Sequence, residues 1–372
     1  MDINKMGNNI YPANDSLIKI EGAVSLQLCD GPSADNYLSK LFDEKISLQS
    51  STDNVKIIPW RLPFADIDLY PDDFFRREAI KASGVRLRIR TDAVKITVHG
   101  EYICSPHNGC PRYLMDLCQD NKIIATCEYR NGKVELDGIA QGEKELEIWL
   151  SPGFDFIFES LELNDEAVLL PVPEDKRTRW ITYGSSITHA IRANSPALTW
   201  PAIVARENNW NLLSLGYGGQ CILDPMIARL IRDYPVDIIS LKLGANVYSV
   251  AMNPRSFPAA VIGFVSTIRE KHPLTPLLLC SPIYMEPWEE TPGLTGLTTI
   301  MMRSQISEIV EIFKKRGDKN LHYVDGLKLL GSELSHLQAD KIHPDGEGNL
   351  RMAENFRTQL ASCGVNLNHG KF

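Results

Sequence analysis

The chain has 372 residues, 44% of them hydrophobic, with a formal net charge of -8 and a pI near 5.6. That is enough chain to bury two separate cores, and the mixed charge lacks the basic run that neutralises phosphates, so nucleic acid is not an expected partner. No stretch approaches the roughly 18 apolar residues of a membrane span, and Met1-Asp2-Ile3-Asn4-Lys5 carries no apolar signal segment; a cytoplasmic protein is the expectation.

From about residue 17 to 165 the pattern alternates with period two. In Val85-Arg86-Leu87-Arg88-Ile89-Arg90 the apolar residues share one face and three arginines the other, as a strand with one wet face requires. Similar strands are expected at 94–98, 133–136 and 145–150, with turns at Asn131-Gly132 and Gln141-Gly142. Regular strands without long helices predict a jelly-roll-like β-sandwich over 1–170. The eight cysteines lack the paired spacing of a disulfide framework and read as reduced thiols. Their densest cluster, Cys104, His107, Cys110 and Cys118, is too loosely spaced for a structural zinc site, so no metal is expected and small buried hydrophobes are the better reading.

At Pro171-Val172-Pro173-Glu174-Asp175-Lys176-Arg177 two prolines and a charge cluster mark a domain boundary. The second domain, 171–372, alternates short apolar strands with helices. The strands fall at 180–183, 212–215, 236–243, 276–281 and 321–324, and the helices at 200–208, 225–232, 258–271, 298–315 and 346–361. Five successive βα units predict a parallel five-stranded sheet in a three-layer α/β/α domain with right-handed crossovers.

Ligand sites in such sheets lie beyond the carboxyl ends of the strands. Ser186 follows the first strand, Gly218 and Gly219 the second and Asn246 the third, while Asp340 and His343 lie between the fifth strand and the last helix. All four segments therefore reach one edge. Ser186, His343 and Asp340 supply what a hydroxyl nucleophile requires: an imidazole to take its proton and a carboxylate to hold that imidazole's tautomer. Each residue also has a plainer reading. Asp340 or His343 could cap the helix that follows, Asn246 could be an ordinary turn residue, and Gly218-Gly219 could serve only a turn needing positive φ. His189 reads as a surface or core histidine rather than a second base.

The strings that carry these residues resemble the SGNH hydrolases, also called the GDSL esterase and lipase superfamily, over about 175–365. Gly184-Ser185-Ser186 stands where the family has Gly-Asp-Ser, Gly216-Tyr217-Gly218-Gly219 holds the second block, Gly244-Ala245-Asn246 matches Gly-x-Asn, and Asp340 to His343 matches Asp-x-x-His. The resemblance implies a flavodoxin-like catalytic domain, Ser186 as nucleophile, and an oxyanion hole made by the Ser186 and Gly219 amides with the Asn246 side chain. Ser185 departs from the family's aspartate, which affects scaffolding beside the nucleophile and raises the question of which serine attacks; the block alignment favours Ser186. A bacterial two-domain subgroup with a preceding β-sandwich, and certain carbohydrate esterases, share the arrangement.

The function so implied is a serine esterase acting on a short-chain acyl ester, such as an O-acetylated glycoside, through an acyl-enzyme and without cofactor. An acyltransferase or thioesterase would use the same triad, and an inactive hydrolase scaffold that binds carbohydrate is a third reading. Tyr217, Tyr248, Tyr284 and Trp288 are the expected lining of the substrate pocket.

Overall fold

The computed structural model describes residues 9–29, 55–102 and 113–365. Cys104, His107 and Cys110 lie outside them. The chain forms two compact units that are not two contiguous stretches. The first holds residues up to Ala65, Ile80–Asp175 and Ser195–Ala197; the second holds Asp66–Ala79, Lys176–Asn194 and the residues from Leu198 onward. The longest run of the first unit ends at Asp175, and the chain enters the second unit at Lys176.

The first unit is built from two antiparallel sheets. One contains β1 (Ile10–Pro12), β3 (Ser25–Cys29), β4 (Lys56–Trp60), β6 (Ile96–Tyr102), β9 (Lys133–Leu136) and β11 (Phe156–Leu163). The other contains β2 (Lys19–Glu21), β5 (Arg86–Thr91), β7 (Leu114–Gln119), β8 (Lys122–Glu128), β10 (Lys144–Trp149) and β12 (Leu169–Leu170). Their inner faces share one core, drawn from Leu87, Ile89, Leu117 and Ile148 on one sheet and Val98, Phe156 and Phe158 on the other. Each such side chain stabilises by roughly 1.5–3 kcal/mol relative to exposure. Before β9 the chain turns through Asn131 and Gly132 with φ +50° and +83°, as the Asn-Gly signal requires.

The arginine face of β5 departs from its expected solvation. Arg86 is fully buried and Arg88 nearly so. Arg86 pairs with Glu21 and Glu147 and stacks over Trp149, and Arg88 pairs with Glu21 and Glu145. Flanking strands β2 and β10 place those carboxylates beside the guanidinium groups. The period-two pattern identified a polar face; neighbouring acids, invisible to periodicity, allowed Arg86 and Arg88 to be buried, while Arg90 stays partly exposed as expected.

Alternation also gave no sign of helix α1 (Asp73–Ile80). Asp72 caps it, its carboxylate accepting from the Phe75 amide at 2.7 Å. Residues 66–79 group with the second unit. There Phe75 packs edge-on against Tyr217 with ring centres 4.9 Å apart.

The second unit carries a parallel sheet of β13 (Thr178–Gly184), β14 (Trp210–Gly216), β15 (Ile238–Lys242), β16 (Leu277–Cys280) and β17 (Leu321–Val324), in the order β14-β13-β15-β16-β17. This 2-1-3-4-5 order is flavodoxin-like and reverses direction beside β13. Helices α3 (Trp200–Asn208), α4 (Pro225–Asp233), α5 (Ser256–Arg269), α6 (Thr299–Lys315) and α7 (Gly346–Ser362) connect or follow the strands, after the four-residue α2 (Ser186–His189). Helices α3 and α7 pack together, as do α4 with α5 and α5 with α6. On the face beneath α3 and α7, Trp180 meets Trp200 at 5.9 Å and stacks on Phe356 at 5.6 Å. Tyr183 stacks on Phe264 of α5 at 5.3 Å.

Candidate active site

The carboxyl ends of β13 and β15, on either side of the point where the strand order reverses, deliver Ser186 and Asn246. After β13 the chain enters α2 at once. Ser185 is the N-cap residue, buried, its hydroxyl accepting from the Ile187 amide at 3.3 Å. That occupation separates the two serines, because the Ser186 hydroxyl instead lies 2.8 Å from His343 Nε2.

His343 stands in a loop that Asp340 organises. One Asp340 oxygen accepts from the amides of Ile342 and His343, at 3.0 and 2.7 Å; the other lies 2.6 Å from His343 Nδ1. This geometry suits an Nδ1–H donating to the carboxylate and an Nε2 accepting from the serine hydroxyl. Burial of the Asp340 carboxyl opposes its charge, but the His343 amide, the His343 ring and the Ile342 amide outweigh that and hold it down at about 2. The Arg192 guanidinium adds a contact of 2.9 Å to the same carboxylate. Neither Asp340 nor His343 caps α7. Asp345 does, its carboxylate accepting from the Gly348 amide at 2.9 Å.

Beyond β14 the loop turns through Gly219, whose φ of +72° lies in the left-handed region where a side chain would be strained. The Gly218 amide is already committed, donating to Glu78 Oε2 at 3.1 Å. Beyond β15, Asn246 Oδ1 accepts from the Cys221 amide at 3.0 Å. This bond fixes which end of the side-chain amide faces which way, leaving Nδ2 as the end that can serve an acceptor elsewhere.

The expected aromatic lining divides. Tyr217 is fully buried among Phe75 and Tyr183, so it is a core residue rather than a pocket wall. Tyr248 stacks on Trp288 with ring centres 4.6 Å apart and donates to the Thr291 carbonyl. Tyr284 lines a cavity of about 630 Å3 that also includes Glu289, Arg303, Tyr323 and Asp325. The crevice at Ser186 is smaller and is bordered by Ile187, Ala190, Ile191, Arg192, His343, Pro344 and Asn349. None of the four expected aromatics borders it.

Sequence reasoning passed over four contributors: Arg192, Cys221, Glu78 and Phe74, whose ring would lie 3.1 Å from a Cβ at Gly219. Cys221 acts through its backbone and leaves no residue-type signal. Arg192 and Glu78 show nothing until the chain folds. The signal that could have found the Glu78 segment was Asp72 ahead of Phe74, Phe75, Glu78 and Ala79, a capped helical spacing.

Residues 177–361 match the model of the GDSL-like lipase/acylhydrolase family. No curated protein matches the chain. Among solved structures, the salicylyl-acyltransferase SsfX3 from a tetracycline biosynthetic pathway is 32% identical with a TM-score of 0.82, the alignment covering 96% of this chain and 98% of that one. A GDSL-like lipase from Bacteroides ovatus, described as putative, is 18% identical with a TM-score of 0.72, at coverages of 96% and 98%. A family two carbohydrate esterase from Cellvibrio japonicus shares the fold at 14% identity, with a TM-score of 0.61 and coverages of 96% and 98%. Among the described residues no helix is long and apolar enough to cross a membrane. With a relative this similar along its whole length, a match to the family model across the second unit and the flavodoxin-like sheet order, the chain belongs to the GDSL-like lipase/acylhydrolase family of SGNH serine hydrolases.

Proposed function

We propose that the protein is a serine esterase that takes a short acyl group onto Ser186 and releases it to water. The observation that carries this reading is the continuous chain from Ser186 Oγ to His343 Nε2 at 2.8 Å and from His343 Nδ1 to Asp340 at 2.6 Å. In the first step the Ser186 oxygen attacks the acyl carbonyl while its proton passes to His343 Nε2. Asp340 holds the ring by Nδ1 and stabilises the imidazolium. Negative charge collects on the former carbonyl oxygen, and its donors are the amides of Ser186 and Gly219 and the Asn246 Nδ2 group. The tetrahedral species collapses as His343 returns the proton to the departing alkoxide. Water then attacks the acyl-Ser186 ester with His343 again accepting a proton, and the acid leaves as His343 returns that proton to Ser186 Oγ. The scheme needs no metal or cofactor.

A short acyl group such as acetyl, on an O-acetylated glycoside, is the first substrate to test, because family two carbohydrate esterases share the fold. Acyl transfer to an acceptor other than water is the second reading, favoured by the full-length likeness to a salicylyl-acyltransferase. A thioester donor would enter by the same steps. An inactive binding scaffold is disfavoured by the intact hydrogen-bond chain. The cytoplasm is the proposed site of action, since the spacing of the eight cysteines suits reduced thiols.

The test is a fluorophosphonate probe followed by peptide mapping. An adduct on Ser186, together with loss of p-nitrophenyl acetate hydrolysis in a folded S186A variant, is the expected result. Hydrolysis persisting in S186A would refute the mechanism. Added alcohols decide between the readings, since a transferase converts the acyl group into a new ester faster than it forms the free acid.

A further inference from the structure

The mechanism leaves one buried acid in the catalytic unit without a task. Glu78 sits on α1 with its side chain 4% exposed, and its Oε2 lies 3.2 Å from Nδ1 of His189, which is 1% exposed. The same oxygen accepts from the Gly218 amide at 3.1 Å. Burying a carboxylate is costly unless it is compensated, and the contacts to His189 and to the Gly218 amide both reach parts of the site. His189 is the last residue of α2, the helix that begins with Ser186. Gly218 directly precedes Gly219. Glu78 therefore bridges the element that carries the nucleophile and the loop that carries an oxyanion donor.

The fit leaves little freedom. A Cβ on Gly218 would fall 2.6 Å from Glu78 Oε2, and one on Gly216 would fall 2.3 Å from the His189 backbone nitrogen. The same helix sets Phe75 against Tyr217 and the Phe74 ring beside Gly219. A carboxyl oxygen held on the Gly218 N–H fixes the peptide plane immediately before the Gly218–Gly219 peptide. Donors stabilise an oxyanion only when they are held in place before the charge appears.

We propose that Glu78 is a positioning residue that, through the Gly218 amide and His189, aims the Gly219 amide at the substrate's carbonyl oxygen. This rests on the assignment of Gly219 as an oxyanion donor. Because the Gly219 amide itself survives, loss of Glu78 misdirects a donor instead of deleting one.

The experiment uses the full chain with p-nitrophenyl acetate, counting active sites by fluorophosphonate titration so that kcat is expressed per competent site. Glu78→Ala is expected to lower that kcat by about 10- to 100-fold while KM stays within about twofold, since misplacing a donor acts on the transition state. Glu78→Gln keeps an oxygen for the Gly218 amide and is expected to recover most of the loss. A purely structural Glu78 would reduce the number of titrated sites and leave kcat per site at the wild-type value. That outcome, or E78Q as slow as E78A, overturns the proposal. Should E78A fail to fold, E78Q is compared with E78D, whose carboxylate is withdrawn by one methylene; E78D faster than E78Q also overturns it. Activity surviving in S186A, by contrast, would remove the catalytic reading beneath the proposal and is distinguishable from any result at Glu78.

Discussion

Replacing Asn246 separates two jobs that one side-chain amide performs. Its Oδ1 accepts the Cys221 amide at 3.0 Å, and its Nδ2 is the proposed oxyanion donor. Asn246→Ala removes both. Loss of an oxyanion donor lowers turnover by about 10²- to 10³-fold, or roughly 2.7–4 kcal/mol of transition-state stabilisation. Leaving the Cys221 N–H without its acceptor costs about 1–3 kcal/mol of stability. At roughly 2–4 °C per kcal/mol for a domain of this size, Tm should fall by several degrees. Asn246→Asp divides the effects, because a carboxylate still accepts from Cys221 but cannot donate, and its charge repels the developing oxyanion. The aspartate variant should therefore melt close to wild type while turning over as poorly as the alanine variant or worse. Turnover of p-nitrophenyl acetate per titrated site and thermal unfolding by circular dichroism measure the two effects independently. Turnover by N246A within about threefold of wild type would refute the oxyanion assignment, being far smaller than any donor loss of this kind.

The other expectations concern the neighbouring serine, the triad carboxylate and the sandwich. Ser185→Ala should lose the cap of α2, about 1 kcal/mol, yet retain fluorophosphonate labelling at Ser186; loss of labelling in folded S185A would reopen the choice of nucleophile. Asp340 is held at about 2 against an ordinary 3.8, so its ionised form contributes stability that is complete above about pH 4 and is lost as pH falls toward 2. The difference in urea midpoint between wild type and Asp340→Asn should accordingly shrink between about pH 5 and pH 2.5, and a constant difference would contradict the contacts assigned to that carboxylate. Arg86→Ala should destabilise the first unit by about 3–5 kcal/mol in urea unfolding, since it removes a fully buried guanidinium from Glu147 and from Glu21, which keeps Arg88. A loss below about 1 kcal/mol would mean that those pairs behave as solvated ones.

Much of the protein was legible in the sequence because the signals are local. The βα rhythm reflects short apolar strands covered by helices, and alternation in the first unit reflects burial of one strand face, so the strands at Leu321–Val324 and Lys133–Leu136 and the helix at Trp200–Asn208 fall where periodicity puts them. The order of polar residues behind successive strands brought Ser186, Gly219, Asn246, Asp340 and His343 to one edge before any distance was known, because parallel strands all end on the same side. Folding decided what depends on partners distant in sequence. Tyr217 left the expected pocket lining because Phe75, more than a hundred positions earlier, covers it. Arg86 and Arg88 went inside because Glu21, Glu145 and Glu147 arrive on neighbouring strands. Asp345 took the capping role that the sequence left open to Asp340 or His343, and Ser185 capped the short helix that carries Ser186. Glu78 reached the Gly218 amide because α1 groups with the unit on the far side of the proline linker. Periodicity reports which face of an element is apolar; which charge, ring or amide that element will meet is set by chain closure over long separations, and no local pattern encodes it.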